Sequence, residues 1–157
     1  MSDSVFSQIK GRLDQAQLDV RYHQHHATTT IQDAQDNLHF VVEQILKTIV
    51  FEIKGKGLAL AALTGHRRID YRSLANALGV SRSSLRQSSE QQVLEHFGVE
   101  LGAVSPFLCG ENIPLVLDAE CSGALICGSG RRDHSIEVDA ALLAEYTGAT
   151  LGDIAKT

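Results

Sequence analysis

The sequence predicts an α/β fold, with a mixed, curved or partly closed β-sheet and surrounding helices in one domain over residues 1–157. Three observations carry this expectation. Two β-type runs, Gln44 to Ile53 and Leu58 to Leu63, are joined by the Gly55 to Gly57 turn and read as a hairpin. Three helical stretches bring their own start and stop residues: Asp70 and Gly79, Ser88 and Gly98, Asp139 and Gly148. Strands and helices interleave, but the short hairpins argue against a doubly wound parallel sheet.

Taken in order, Val5, Ile9, Leu13 and Ala16 recur at helical spacing over Ser4 to Leu18, with Ser2, Asp3 or Ser4 as N-cap. Gly11 weakens that helix by about 1 kcal/mol relative to alanine. Val20 to His25 is a short strand containing Tyr22, and Thr28 to Thr30 cap a second helix that includes Ile31, Ala34 and Leu38. In the next strand, QILKTIVFEI, alternation puts Ile45, Lys47, Ile49, Phe51 and Ile53 on one face. The other face carries Leu46, Thr48, Val50, Glu52 and Lys54, so Lys47 stands on the apolar side although a half-polar side was available. Such a lysine either snorkels out at a sheet edge or lines a pocket where its ammonium meets an anion or a polarised carbonyl.

Beyond the hairpin, Tyr71, Leu74, Ala75 and Leu78 form the inward face of the helix capped by Asp70. Ser88 followed by Gln91 is a capping-box pattern for the next helix, with Val93, Leu94 and Phe97 facing the core. Gly98 to Pro106 is a loop of small residues. Strands follow at Pro114 to Leu117 and Ala124 to Cys127, then the Gly128 to Gly130 turn, a strand at Ser135 to Val138 and a last helix running to about Tyr146.

Composition is that of a globular chain, since 43% hydrophobic and 21% charged residues exclude disorder and collagen. The longest strongly apolar stretch, Leu58 to Leu63, is too short to cross a bilayer, and Met1 to Gln15 lacks a signal-peptide apolar region. A cytoplasmic protein without a membrane association is therefore expected. Cys109, Cys121 and Cys127 are odd in number and irregular in spacing, which suits a reducing compartment. The net charge of −5 offers no general attraction to a nucleic acid backbone, so DNA binding is not expected and any contact with RNA must be local. Arg67 with Arg68 and Arg72, Arg82 with Arg86, and Arg131 with Arg132 are the basic spots, each either a solvated loop or such a contact.

His23, His25 and His26 have a spacing that metal ligands can use, but no matching Cys/His pair occurs elsewhere, and no metal or cofactor is expected. The cysteines form no CxxC, and the GKG at Gly55 to Gly57 lacks the frame of a phosphate-binding loop. Gly102, Ala103, Val104, Ser105 and Pro106 make the second unusual stretch. A glycine lets backbone N–H groups approach a ligand closely, and a proline fixes φ at the far end of the loop. Ser105 has no GxSxG context, so it does not read as a nucleophile.

Together, KTIVF at Lys47 to Phe51 and LGAVSPF at Leu101 to Phe107 resemble the paired signatures of the YbaK and prolyl-tRNA-synthetase-associated editing-domain family. DYRSLANALG at Asp70 to Gly79 and GSGRRDHSIEVDAALL at Gly128 to Leu143 extend the likeness over nearly all of the chain after about Leu18. The resemblance implies hydrolysis of the ester of mischarged aminoacyl-tRNA, in a cleft between the lysine strand and the glycine–proline loop. It implies that Lys47 anchors the tRNA 3′ end or the reacting ester, and that amides of Gly102 to Pro106 bind the aminoacyl carbonyl. It also implies that Tyr22, Gly128, Ser129 and His134 border the substrate. Ser135 stands ahead of Glu137 where many relatives carry an acidic residue, so the selectivity of a known member does not transfer. A non-catalytic tRNA-binding module of the same fold, and a hydrolase of another activated acyl compound, are the rival readings. The sequence specifies neither the oligomeric state nor whether a further C-terminal domain belongs to the protein.

Overall fold

In the computed structural model, which describes residues 2–26 and 40–157, the strands divide between two sheets. The elements are α1 (Ser2–Gln15), β1 (Arg21–Gln24), β2 (Leu46–Ile53), β3 (Gly57–Thr64), α2 (Tyr71–Leu78), β4 (Leu85–Gln87) and α3 (Glu90–Phe97). They continue with β5 (Leu115–Asp118), β6 (Ala124–Gly128), β7 (His134–Asp139), α4 (Ala140–Thr147) and β8 (Thr150–Gly152). The helix expected over Ile31, Ala34 and Leu38 lies outside the described residues. Among the described residues no helix is long and apolar enough to cross a membrane.

The larger sheet has the order β4-β2-β3-β5-β8; β2 is antiparallel to β3 and β4, whereas β3, β5 and β8 run parallel. The smaller sheet, β1-β7-β6, is antiparallel throughout. A parallel bridge between Ile45 and Ile126 joins the two. The mixed α/β class therefore holds, with the expected single sheet resolved into two that meet along a seam.

The hairpin register pairs Lys47 with Leu63 and Ile53 with Gly57, around a turn in which Gly55 and Gly57 take positive φ. Both faces of β2 are covered. Leu46 and Val50 join Leu60, Ala62, Ile9 and Leu13 in one core, while Phe51 and Ile53 join Leu63, Leu74, Ala75 and Ile154 in the other. The side expected to be half-polar thus faces a core, and Glu52 at its outer end pairs with Arg86 at 2.8 Å.

Helix signals are mostly local and act as expected. Asp70 accepts the Ser73 N–H at 3.0 Å, Asp139 accepts those of Ala141 and Leu142, and Gly79, Gly98 and Gly148 close their helices in the left-handed conformation. The capping box, however, sits one residue later than expected, with Ser89 and Gln92 replacing Ser88 and Gln91. At Ser88 the N–H that a capping box would give to the N3 side chain is spent on the Val50 carbonyl at 2.9 Å, whereas the Ser89 N–H is free to take Gln92. Leu94, expected to face the core, is 44% exposed, while Val93 is buried as expected.

At the far edge of the large sheet, the buried Asp118 carboxylate receives a guanidinium N–H of Arg67 on one oxygen and the Ile154 N–H, at 3.2 Å, on the other. It ties together the end of β5, the connection from β3 to α2 and the segment after β8. Asp118→Ala leaves both donors without their acceptor and is expected to cost about 3 kcal/mol, read as a lowered denaturant midpoint. A loss under about 1 kcal/mol would show that the cluster contributes no more than an exposed ion pair.

Candidate functional site

Lys47 is the second residue of β2, and its neighbour two positions back, Ile45, bridges Ile126 in parallel. Gly128 lies two residues beyond Ile126 in that same direction, so the register sets Lys47 beside Gly128 across the seam. Lys47 is partly buried and, among the described residues, its amine makes no hydrogen bond or ion pair. Burial first, and the positive charge of Arg68 second, push its pKa below the ordinary lysine value.

Gly128 belongs there because nothing larger fits. A Cβ at this position would fall 2.1 Å from the Val104 carbonyl oxygen and 3.1 Å from the Ala103 carbonyl carbon. The glycine-rich turn also holds the 102–106 loop directly, since the Gly130 N–H donates to the Ala103 carbonyl at 2.8 Å. Ser129 is fully buried and secures the turn from inside, its hydroxyl donating to the His134 carbonyl at 2.7 Å.

Within the loop, Gly102 has φ of 90°, a conformation that favours glycine, and the Ala103 N–H returns to the Glu100 carbonyl at 3.0 Å. Pro106 opens a single turn of 3-10 helix, and the Ser105 side chain caps it by accepting the Phe107 N–H at 3.2 Å. Val104 and Ser105 are buried, yet among the described residues their backbone N–H groups have no acceptor. Buried main-chain donors are nearly always paired, so two consecutive unspent ones set this loop apart.

Other expected site residues fall elsewhere. Tyr22 and His134 share the face of the small sheet that turns toward α1. There Phe6 packs edge-on against Tyr22 at 6.1 Å and at a tilt against His134 at 4.8 Å, and the Lys10 amine sits 5.1 Å from the centre of the Tyr22 ring. Burial, with the Asp14 charge adding to it, pushes the Tyr22 phenol up to about 12. His134 Nδ1 contacts Asp133 at 2.8 Å; hydrogen bonds from Arg131 first, then His134, hold the Asp133 carboxyl well below its usual range.

The opposite face, which carries Gly128, bears Ser135 and Glu137. His25 Nε2 meets the Ser135 hydroxyl at 2.8 Å, and His23 Nε2 meets Glu137 at 2.8 Å. The alternate spacing of these histidines reflects a strand with one face in contact with β7. Among the described residues no three His, Cys, Asp or Glu side chains are placed to hold a metal ion. The three thiols are free, and burial raises the pKa of each, to about 12 for Cys127, which is opposite to what a nucleophilic cysteine needs.

The fold defines a class: a mixed α/β domain of two sheets joined at β2 and β6, with the 102–106 loop held against the Gly128 to Gly130 turn. The chain belongs to the aminoacyl-tRNA editing domain family, whose model matches residues 25–154. It is 28% identical over 89 residues to a proline–tRNA ligase of Kosmotoga olearia, a match covering 57% of this chain and 15% of the ligase. An uncharacterized Bacillus subtilis protein, YwhH, is 24% identical over 123 residues, 77% of this chain and 76% of its own. Among solved structures, a proposed trans-editing enzyme for prolyl tRNA synthetase superposes with a TM-score of 0.80 at 24% identity, covering 98% of each chain, a likeness of fold.

Proposed function

We propose that this chain hydrolyses the ester bond of mischarged aminoacyl-tRNA. The observation that supports the reading is the pair of buried, unspent N–H groups at Val104 and Ser105, in a loop held by the glycine-rich turn after β6. Water adds to the ester carbonyl, and the developing oxyanion is received by these amides once the loop opens to admit the substrate, since Ser105 is fully buried. Lys47, as a cation, anchors the 3′-terminal nucleotide so that the carbonyl lies over the loop. Collapse breaks the acyl C–O bond, the ribose oxygen takes a proton, and free amino acid and tRNA leave. The vicinal ribose hydroxyl assists. An aminoacyl ester is an activated acyl group, so positioning and oxyanion stabilisation suffice without an enzymic nucleophile. Ser105 fits this, since its hydroxyl is occupied as a cap.

A panel of aminoacylated tRNAs offered to the purified protein tests the reading, with released amino acid as the readout. Turnover of at least one mischarged species is expected, and it should survive chelators. Tight binding without release across the panel would instead assign the chain as a non-catalytic tRNA-binding module.

A further inference from the structure

We propose that Arg68, Arg72, Arg82 and Lys156 form a docking strip for the phosphate backbone of an RNA, continuous with Lys47 at the seam. It deepens the deacylase reading by naming the surface that holds the rest of the tRNA acceptor end. The first argument is how the chain distributes its ion pairs. Lys10, Arg67, Arg86, Arg131 and Arg132 each lie within 3.1 Å of a carboxylate oxygen. Among the described residues, Arg68, Arg72, Arg82 and Lys156 have no such partner. Each of the three basic spots visible in the sequence is thus neutralised in part, and the unpaired members of two of them, Arg68, Arg72 and Arg82, are grouped with Lys156 in a chain of net charge −5.

The second argument is continuity. The Lys156 N–H donates to the Arg68 carbonyl at 2.8 Å, and Ile69 bridges Ala155 beside them, so these two cations sit on adjacent backbone. Asp70, Tyr71, Arg72, Arg82 and Lys156 then line one open hollow of about 350 Å³. Its single acid, Asp70, caps α2 and offsets part of the Lys156 charge, so the hollow keeps a net positive charge from Arg72, Arg82 and Lys156. The Arg68 charge also acts on Lys47, as its lowered pKa shows, so the two cations are near enough to share one ligand backbone.

The third argument is the form of the hollow. The Arg82 guanidinium lies over the Tyr71 ring, 4.4 Å from its centre, a cation–π contact that limits its freedom. Apart from a long 3.4 Å contact to the Leu85 carbonyl, its N–H edges are left for an acceptor. A preorganised planar fork suits bidentate phosphate recognition, and flanking cations extend it along a backbone. The surplus of acid elsewhere repels RNA from other faces and so orients the encounter.

Binding of an uncharged tRNA acceptor minihelix to the full chain, titrated at low and moderate salt, tests the strip. The variant Arg72→Glu/Arg82→Glu/Lys156→Glu should bind at least about tenfold more weakly, with a salt slope flatter by about two to three. All three side chains are exposed, so its melting midpoint should match the wild type. Lys54→Glu/Lys56→Glu, exposed cations at the β2–β3 turn, should leave affinity nearly unchanged. Equal losses in both variants would reduce the effect to net charge and overturn the strip. So would displacement of the minihelix by an acidic peptide at lower concentration, which would assign the surface to a protein partner. Should the wild type bind through the strip yet release no amino acid from any aminoacyl-tRNA, the docking surface stands and the deacylase reading falls.

Discussion

Replacing Lys47 by alanine is expected to slow aminoacyl-tRNA hydrolysis by about a hundredfold, the loss that follows when the group positioning the reacting ester is removed. The loss should appear with little change in stability, because the amine makes no hydrogen bond or ion pair among the described residues that folding would forfeit. It also has a pH signature. Burial and Arg68 both lower the Lys47 pKa, so the charged form is lost at a lower pH than for an ordinary lysine. Activity carried by the ammonium should therefore fall as pH rises through that lowered value. Arg68→Gln removes one of the two causes, so it should raise the Lys47 pKa and move the falling limb of kcat/KM to higher pH. A limb that stays in place in Arg68→Gln would assign the titration to another group.

Gly128→Ala is expected to abolish most of the activity by a different route. The new methyl would stand 2.1 Å from the Val104 carbonyl oxygen, a separation no real Cβ tolerates, and the obstacle is backbone that cannot rotate aside. The 102–106 loop must shift, although the Gly130 N–H still pulls it toward the turn through Ala103. A displacement of the order of an ångström at the Val104 and Ser105 amides should cost about a hundredfold in rate, with a further 1 to 3 kcal/mol of stability lost to overpacking. Rates and thermal midpoints of the purified variant check both parts. Near-normal turnover would mean that the loop amides do not receive the carbonyl.

These two residues differ in how far the sequence announces them. Lys47 stands out because alternation along QILKTIVFEI gives it apolar neighbours on its own face. That is a local property, readable from ten letters. Gly128 reads only as one glycine of a turn, since what it avoids, the Val104 carbonyl, is 24 residues away and brought near by the fold. The unspent amides are equally hidden, because they are defined by where hydrogen bonds are not made.

The fold shows the same division. Asp70, Asp139 and the glycines after each helix act within one turn of their own position, and the structure has them where the residue types place them. Strands β4 and β8 carry three residues each, Leu-Arg-Gln and Thr-Leu-Gly, too few for an alternation to be seen. Their strand character comes from pairing with β2 and β5. The one-residue slip from Ser88 to Ser89 has the same origin: a local pattern allows either serine, and a sheet hydrogen bond to Val50 decides. Division of the strands into two sheets is likewise a matter of which edges meet.

The antiparallel pairing of β1 with β7 has a kinetic side. Bringing His23 to Glu137 closes a span of 114 residues, and the order β1-β7-β6 cannot assemble from neighbours in the chain alone. Entropy must be surrendered over that span before any contact repays it, which places such a topology among millisecond-to-second folders. During translation, β1 and the amphipathic helix ahead of it wait, without their partner strand, until residue 139 has left the ribosome.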